Sequence, residues 1–304
     1  MPGGFMGERP AMSEAQSCSV QCLSPSGLHS MHYWQWGDAK SPRAVVCVHG
    51  LTRVGRDFDR MARVLGRTCR VICPDVVGRG GSDWLRDPMH YSLPQYLADM
   101  VTLLARVDAK EVDWVGTSMG GLIGIGLAGM EHSPIRRLVL NDVGPRVEPT
   151  GLARIAAYVG QPIRFATIEQ AIAYNRSIAA GFGMRSDDEW REITASVFQR
   201  DGDGYVLHYD PAIALPMRAL TPELIAAGEQ ILWQRYDAIH CPTLVLRGEN
   251  SDVLSASVAA EMTRRGPRAR LATVPDVGHA PMFFDPAQVE LVRAFLESDQ
   301  PAAS

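Results

Sequence analysis

Val112-Asp113-Trp114-Val115-Gly116-Thr117-Ser118-Met119-Gly120-Gly121 is the stretch whose reading decides the fold. A short apolar run of strand type enters G-x-S-x-G and continues into a helical pattern from Gly120 to Met130. Gly116 and Gly120 are small because a strand that turns sharply into a helix leaves no room for side chains beside the turn. Such a turn projects the Ser118 hydroxyl outward. It also sets Ser118 at a helix N-terminus, where free N–H groups and the helix dipole favour a developing negative charge. An ordinary serine in a glycine-rich turn is the bland alternative, and the strand before it and helix after it weigh against that alternative.

Working outward, strand signals at Arg70 to Cys73, Arg137 to Leu140, Thr243 to Arg247 and Arg270 to Val274 alternate with helical patterns. The helices are expected at Arg56 to Leu65, Leu93 to Val107, Ser255 to Thr263 and Pro286 to Leu296. Alternation of this kind builds an α/β fold, a mostly parallel central sheet with helices on both faces. Upstream, Ser19 to Leu23, a Pro-Ser-Gly turn at Pro25 to Gly27, His29 to Trp36 and Ala44 to Val48 predict three strands that begin the sheet antiparallel. Between Val147 and Ala238 the strand signal gives way to helical pieces at Leu152 to Val159, Ile168 to Ala179, Asp187 to Phe198 and Glu223 to Tyr236. One hairpin-like stretch, Asp201 to Tyr209, interrupts them. The expected organisation is a loose tail over 1–18, core over 19–146, a helical insertion over 147–238 and core again over 239–298.

Composition narrows the function classes. The 304 residues, 46% hydrophobic and 21% charged, are those of a folded globular chain. A net charge of -4 from 30 basic and 34 acidic residues offers no cationic surface for nucleic acid. No apolar run approaches the ~20 residues of a membrane-spanning helix, so no membrane insertion is expected. The start of the chain lacks a charged segment followed by an apolar one, and the expected location is cytoplasmic. The six cysteines then read as reduced and structural. Cys18/Cys22 and Cys69/Cys73 lack the companions of a zinc site, and Gly78 to Gly81 lacks the spacing and lysine of a phosphate loop. Neither metal nor cofactor is expected.

Serine is a weak nucleophile without a neighbouring base. Of the 8 histidines, His279 has the best context, in the loop Val274-Pro275-Asp276-Val277-Gly278-His279 just after a strand. An acid should orient its imidazole. Asp252, in the loop after Thr243 to Arg247, is the favoured acid, with Asp142 at the end of Arg137 to Leu140 and then Glu249 as rivals. The resulting chain order is Ser118, Asp252, His279. Backbone N–H groups of Met119, directly after the nucleophile, and of Leu51, after Val48-His49-Gly50, are the expected oxyanion donors. His49 is read as a brace for that loop. Arg53, at the mouth, is offered for substrate binding against the competing reading of a pair with Asp57 or Asp142. Trp190 and Trp233 are candidates to line the pocket.

These motifs, His49-Gly50, Asp75 to Asp83, Gly116 to Gly120 and Gly278-His279, make the chain from Ser19 to Leu296 resemble the α/β-hydrolase superfamily, in its cap-bearing esterase and lactonase branch. The resemblance implies a Ser118, Asp252, His279 triad, an oxyanion hole of Leu51 and Met119, and a helical insertion that caps the pocket. Relatives that act as dehalogenases or epoxide hydrolases carry a carboxylate where this chain has Ser118. The expected activity is therefore hydrolysis of carboxylic esters of small to medium acyl size through an acyl-enzyme. Carbon–carbon bond hydrolysis of ring-cleavage products and ligand sensing are the alternatives.

Overall fold

Along the central strands successive side chains face opposite ways, and both faces are apolar, so the sheet has to be covered on both sides. Val46, Val48, Trp114, Leu138 and Leu140 enter one core. Val45, Cys47, Val115, Val139 and Leu246 enter the other. The computed structural model describes residues 14–298. In chain order its elements are β1 (Gln16–Ser24), β2 (Gly27–Trp36), β3 (Arg43–Val48), α1 (Asp59–Leu65), β4 (Arg70–Pro74), α2 (Leu93–Val107), β5 (Glu111–Thr117), α3 (Met119–Ala128) and β6 (Ile135–Asn141). The inserted segment follows, with α4 (Pro149–Tyr158), β7 (Arg164–Phe165), α5 (Ile168–Ile178), α6 (Asp187–Val197), β8 (Phe198–Asp201), β9 (Gly204–Leu207), α7 (Ala214–Arg218) and α8 (Pro222–Asp237). The chain then closes with β10 (Thr243–Gly248), α9 (Ala256–Met262), β11 (Arg270–Val274) and α10 (Pro286–Glu297).

The main sheet runs β1-β2-β4-β3-β5-β6-β10-β11. β1 and β2 pair antiparallel, as does β2 with β4, and every later pairing is parallel. Helices α2, α3, α8 and α9 cover the face of Trp114, while α1 and α10 cover the face of Val115. β4 lies on one side of β3 and β5 on the other, so the strand order reverses between β3 and β5. A reversal of this kind opens a crevice at the carboxyl ends of the two strands. The loops that begin at His49 and at Ser118 both leave from that point.

The structure departs from the sequence reading in three places. Of the tail expected over 1–18, residues 1–13 lie outside the described residues, and Gln16 to Cys18 are already in β1, paired with Gln35 to Tyr33. Within the inserted segment β7, β9 and β8 form a small antiparallel sheet. Its edge strand Arg164–Phe165 is too short to leave a periodic signal. Finally, α8 packs on α3, with Trp233 and Tyr236 inside the main core, so the last helix of the expected insertion belongs to the core layer. Local periodicity marks α8 as a helix and says nothing of which layer it joins.

Helix α3 sits unusually close to the sheet. Trp114 Nε1 donates to the Gly120 carbonyl at 3.0 Å, and a Cβ on Gly124 would lie 2.7 Å from the Trp114 ring. A Cβ on Gly120 would strike the Val48 carbonyl, and one on Gly116 would strike the Gly120 carbonyl. Backbone cannot yield as a flexible side chain can. Gly120→Ala is therefore expected to lower stability by about 1–3 kcal/mol, read as a shift of the urea midpoint; an unchanged midpoint would contradict this close packing.

Candidate active site

Ser118 is the N-cap of α3 and holds φ 52° and ψ -116°. A side chain is strained there, and the contacts of Gly116 and Gly120 keep it so. Its Oγ lies 2.9 Å from His279 Nε2. The opposite ring nitrogen, Nδ1, lies 2.8 Å from Asp142 Oδ2. A carboxylate only accepts, so Nδ1 carries the proton and Nε2 is left to accept from the serine hydroxyl.

Asp142 takes this place instead of the favoured Asp252. It follows β6 with φ 57°, a left-handed conformation that a short aspartate tolerates. Its carboxylate is wholly buried and receives the Gly248 amide on Oδ1 at 2.7 Å and the Ser251 hydroxyl on Oδ2 at 2.6 Å. Asp252 stands in the neighbouring loop, 34% exposed, and is clasped by Arg154 Nε at 2.6 Å and Nη2 at 2.8 Å. Arg154 holds its carboxyl below the ordinary range. Asp142 and Asp252 end adjacent parallel strands, and sequence spacing cannot tell which of two such loops turns its carboxylate to the imidazole. Glu249, the other rival, accepts from the Asp276 amide at 3.1 Å.

Leu51 and Met119 line the same cavity as Ser118, and among the described residues neither amide donates a hydrogen bond. His49 braces the Leu51 loop from behind. Its Nδ1 donates to the Gly50 carbonyl at 2.7 Å, and its Nε2 accepts the Val76 amide at 2.9 Å. Burial drives its pKa down to about 4, so the ring is neutral and both nitrogens are engaged. Asp75 anchors the next loop. Burial opposes its ionisation, but the His32 ring and the Gly81 and Gly55 amides outweigh that and hold its carboxyl below the ordinary range.

Arg79, in the glycine-rich loop Asp75 to Asp83, is fully buried against Leu51 and Met119. It donates to the Leu51 carbonyl at 2.8 Å, and its Nη2 lies 3.8 Å from the Met119 sulfur. An arginine in a glycine-rich loop gives no sequence sign of pointing inward. Asn141 likewise carries no sequence signal of its role: it ties Thr117 Oγ1 to the Pro281 carbonyl, linking the Ser118 and His279 loops.

The substrate-binding candidates fare differently. Arg53 lies beside Ser118 but is spent on Asp57, through two bonds of 2.7 Å. Trp190 packs with Ile193, Met282 and Phe284 in a separate cluster. Trp233 packs on Tyr236 in the main core, under the Arg265 guanidinium. Neither tryptophan lines either cavity at Ser118, because α6 turns Trp190 into that separate cluster and α8 turns Trp233 into the main core. Phe182 does line one.

Two cavities meet at Ser118. One, of about 370 Å³, is apolar, with Leu122, Val143, Leu152, Ile155, Ile213 and Met217 in its wall. The other is narrow, about 40 Å³, and contains His279, Arg53, Arg154 and Tyr158. A larger depression of about 630 Å³ lies away from Ser118 between Arg56, Arg60 and Glu192. Its charges pair with one another, as Arg60 does with Glu192 at 2.6 Å.

Residues 45–292 match the alpha/beta hydrolase family. Over 280 residues, 91% of this chain and 96% of the relative, the sequence is 53% identical to a 3-hydroxybutyrate-oligomer hydrolase of Cupriavidus necator. It is 25% identical to a 2-hydroxy-6-oxo-2,4-heptadienoate hydrolase of Pseudomonas putida, covering 85% of this chain and 88% of that one. Among solved structures, an alpha/beta hydrolase of Novosphingobium aromaticivorans is similar with a TM-score of 0.83 and 36% identity, over 94% of this chain and 99% of that chain. Among the described residues no helix is long and apolar enough to cross a membrane.

The neutral His49 makes stability depend on pH. The unfolded chain takes up this proton near the ordinary value of 6.5 and the folded one only near 4, so stability is full above 6.5 and falls as pH drops toward 4. The loss assigned to this ring is about 3 kcal/mol. Wild type should therefore lose more stability than His49→Asn between pH 7 and pH 4 in urea denaturation, and parallel losses would contradict the buried neutral ring.

Proposed function

This chain belongs to the alpha/beta hydrolase family and is an ester-cleaving hydrolase, and from that premise we propose that Ser118, His279 and Asp142 form its catalytic triad. The observation that carries the reading is the continuous line of hydrogen bonds from Ser118 Oγ through His279 to Asp142. Ser118 attacks the ester carbonyl while His279 Nε2 takes its proton. The tetrahedral oxyanion is held by the Leu51 and Met119 amides, with the positive end of α3 behind it. The imidazolium then returns the proton to the leaving alcohol, and the acyl group stays on Ser118. Water, deprotonated by the same nitrogen, releases the acid and restores the serine.

Asp142 stabilises the imidazolium from a site where burial would be costly without the Gly248 amide and the Ser251 hydroxyl. His49 holds the Gly50–Leu51 peptide that carries the Leu51 amide, through the Gly50 carbonyl, and Arg79 holds the next peptide through the Leu51 carbonyl, so that the amide is in place before charge develops. The inserted segment acts as a cap, since α4 and α7 contribute Leu152, Ile155 and Met217 to the apolar cavity. Its apolar wall suits short hydroxyalkanoate ester chains. The 53% identity to the oligomer hydrolase supports that substrate class over the carbon–carbon bond cleavage of the 25% identical relative.

The test is steady-state hydrolysis of p-nitrophenyl butyrate and of linear 3-hydroxybutyrate oligomers. Ser118→Ala and His279→Ala should each lose at least about 10³-fold in kcat. Near-normal turnover by a folded Ser118→Ala protein would refute the mechanism. The two acids are separable in the same assay. Asp142→Asn is expected to lose about 10²–10⁴-fold and Asp252→Asn less than about tenfold, and the reverse ranking would return the acid's role to Asp252.

A further inference from the structure

The two cavities that meet at Ser118 differ in charge as well as size. The wall of the narrow one holds two guanidinium groups, Arg53 and Arg154, and no carboxylate among the described residues. The wall of the apolar one holds no charged residue among the described residues. The position of His279 says which half of an ester goes where. The leaving alcohol must sit against the Nε2 that protonates it, and His279 lines the narrow cavity and is absent from the apolar one. The acyl half therefore fills the apolar side.

Arg154 is the arginine able to act there. Arg53 is buried and held by Asp57, with a further bond to the Ile193 carbonyl. Arg154 keeps 37% of its side chain exposed, and Asp252 engages only its Nε and Nη2. A guanidinium has five donors, so the pair with Asp252 orients it and leaves Nη1 outside that clasp. The Tyr158 hydroxyl, whose pKa burial raises, lines the same cavity beside the guanidinium.

We propose that Arg154 is a specificity residue that binds a carboxylate on the leaving group, so that the enzyme removes single hydroxy-acid units from the carboxyl end of short ester chains. The inference rests on the serine-hydrolase reading above. In a linear hydroxyalkanoate chain only the terminal unit at that end carries a free carboxylate, a short reach beyond the scissile oxygen. Of the two cavities, about 40 and about 370 Å³, the narrow one receives the smaller, carboxylate-bearing half, and the apolar one takes the rest of the chain on the acyl side. Asp252 then serves to aim Arg154, which gives the carboxylate rejected by His279 a place in the site.

The experiment compares the linear dimer of 3-hydroxybutyrate with its terminal carboxamide, which has the same ester bond and no charge. Wild type should favour the free acid by about tenfold or more in kcat/KM. Arg154→Gln should bring that ratio close to one, and Arg154→Lys should keep part of it. Because the ratio is taken within one preparation, a general loss of activity cancels. A trimer labelled in its carboxyl-terminal unit should release labelled monomer first. A wild-type ratio near one, a ratio unmoved by Arg154→Gln, or label found first in the dimer would each overturn the proposal. Turnover of p-nitrophenyl butyrate in that event leaves the ester-hydrolase reading standing, whereas its absence from folded wild type would remove the reading itself.

Discussion

The site depends on one steric constraint, the approach of the α3 backbone to the ends of β3 and β5. Gly120 lies against the Val48 carbonyl and Gly116 against Gly120, with no space for a Cβ at either position. That contact forces Ser118 into its left-handed conformation and lifts its hydroxyl clear of the sheet. It also brings the first turn of α3 beside the loop of Leu51, so that Ser118, Leu51 and Met119 share one crevice. Strain of this kind, of order 1–3 kcal/mol, persists only where the surroundings over-determine it. Here the bond from Trp114 to Gly120, the flush packing of Gly124 on the indole and two apolar layers hold it.

Around that fixed point the polar groups are arranged by what each can afford to lose of its hydration. Asp142 gives up all contact with water and is repaid by an amide, a hydroxyl and an imidazole. His49 gives up its charge, and Arg79 finds acceptors in the Leu51 and Val77 carbonyls and the Tyr96 hydroxyl. Asp252 remains partly solvated and takes a cation as partner. A histidine near the ends of β6 and β10 thus faces two acids in different states. The buried, pre-bonded Asp142 needs no reorganisation when the ring becomes charged, which favours it as the partner.

The difference between the two cavities follows from the elements that build them. The apolar side is closed by α3, α4 and α7, whose inward faces are aliphatic. The narrow side is closed by the His49 to Arg53 loop, the His279 loop and the polar edge of α4, which brings Arg154 and Tyr158. One helix, α4, supplies both walls, with Ile155 reaching each of them. Its rotation about its own axis therefore sets the polarity on either side of Ser118.

Strand and helix alternation, the G-x-S-x-G turn and the His279 loop were legible because each is a local pattern, written in residues close along the chain. Ser118, His279, Leu51 and Met119 were named from that level, and the family followed. The partner of His279 was not legible, since Asp142 and Asp252 both follow parallel strands and only the left-handed turn at Asp142, fixed by Gly248 and Ser251 more than 100 positions away, chooses between them. The inward course of Arg79, the membership of α8 in the core layer, the orientation of Trp190 and Trp233 and the place of Arg154 beside Ser118 were hidden for the same reason. The sequence determined which elements form and what chemistry they carry, because backbone propensity and hydrophobic period act over a few residues. Which side chains meet was decided by the tertiary structure, because burial and hydrogen bonding are settled between segments that only the packed sheet brings together.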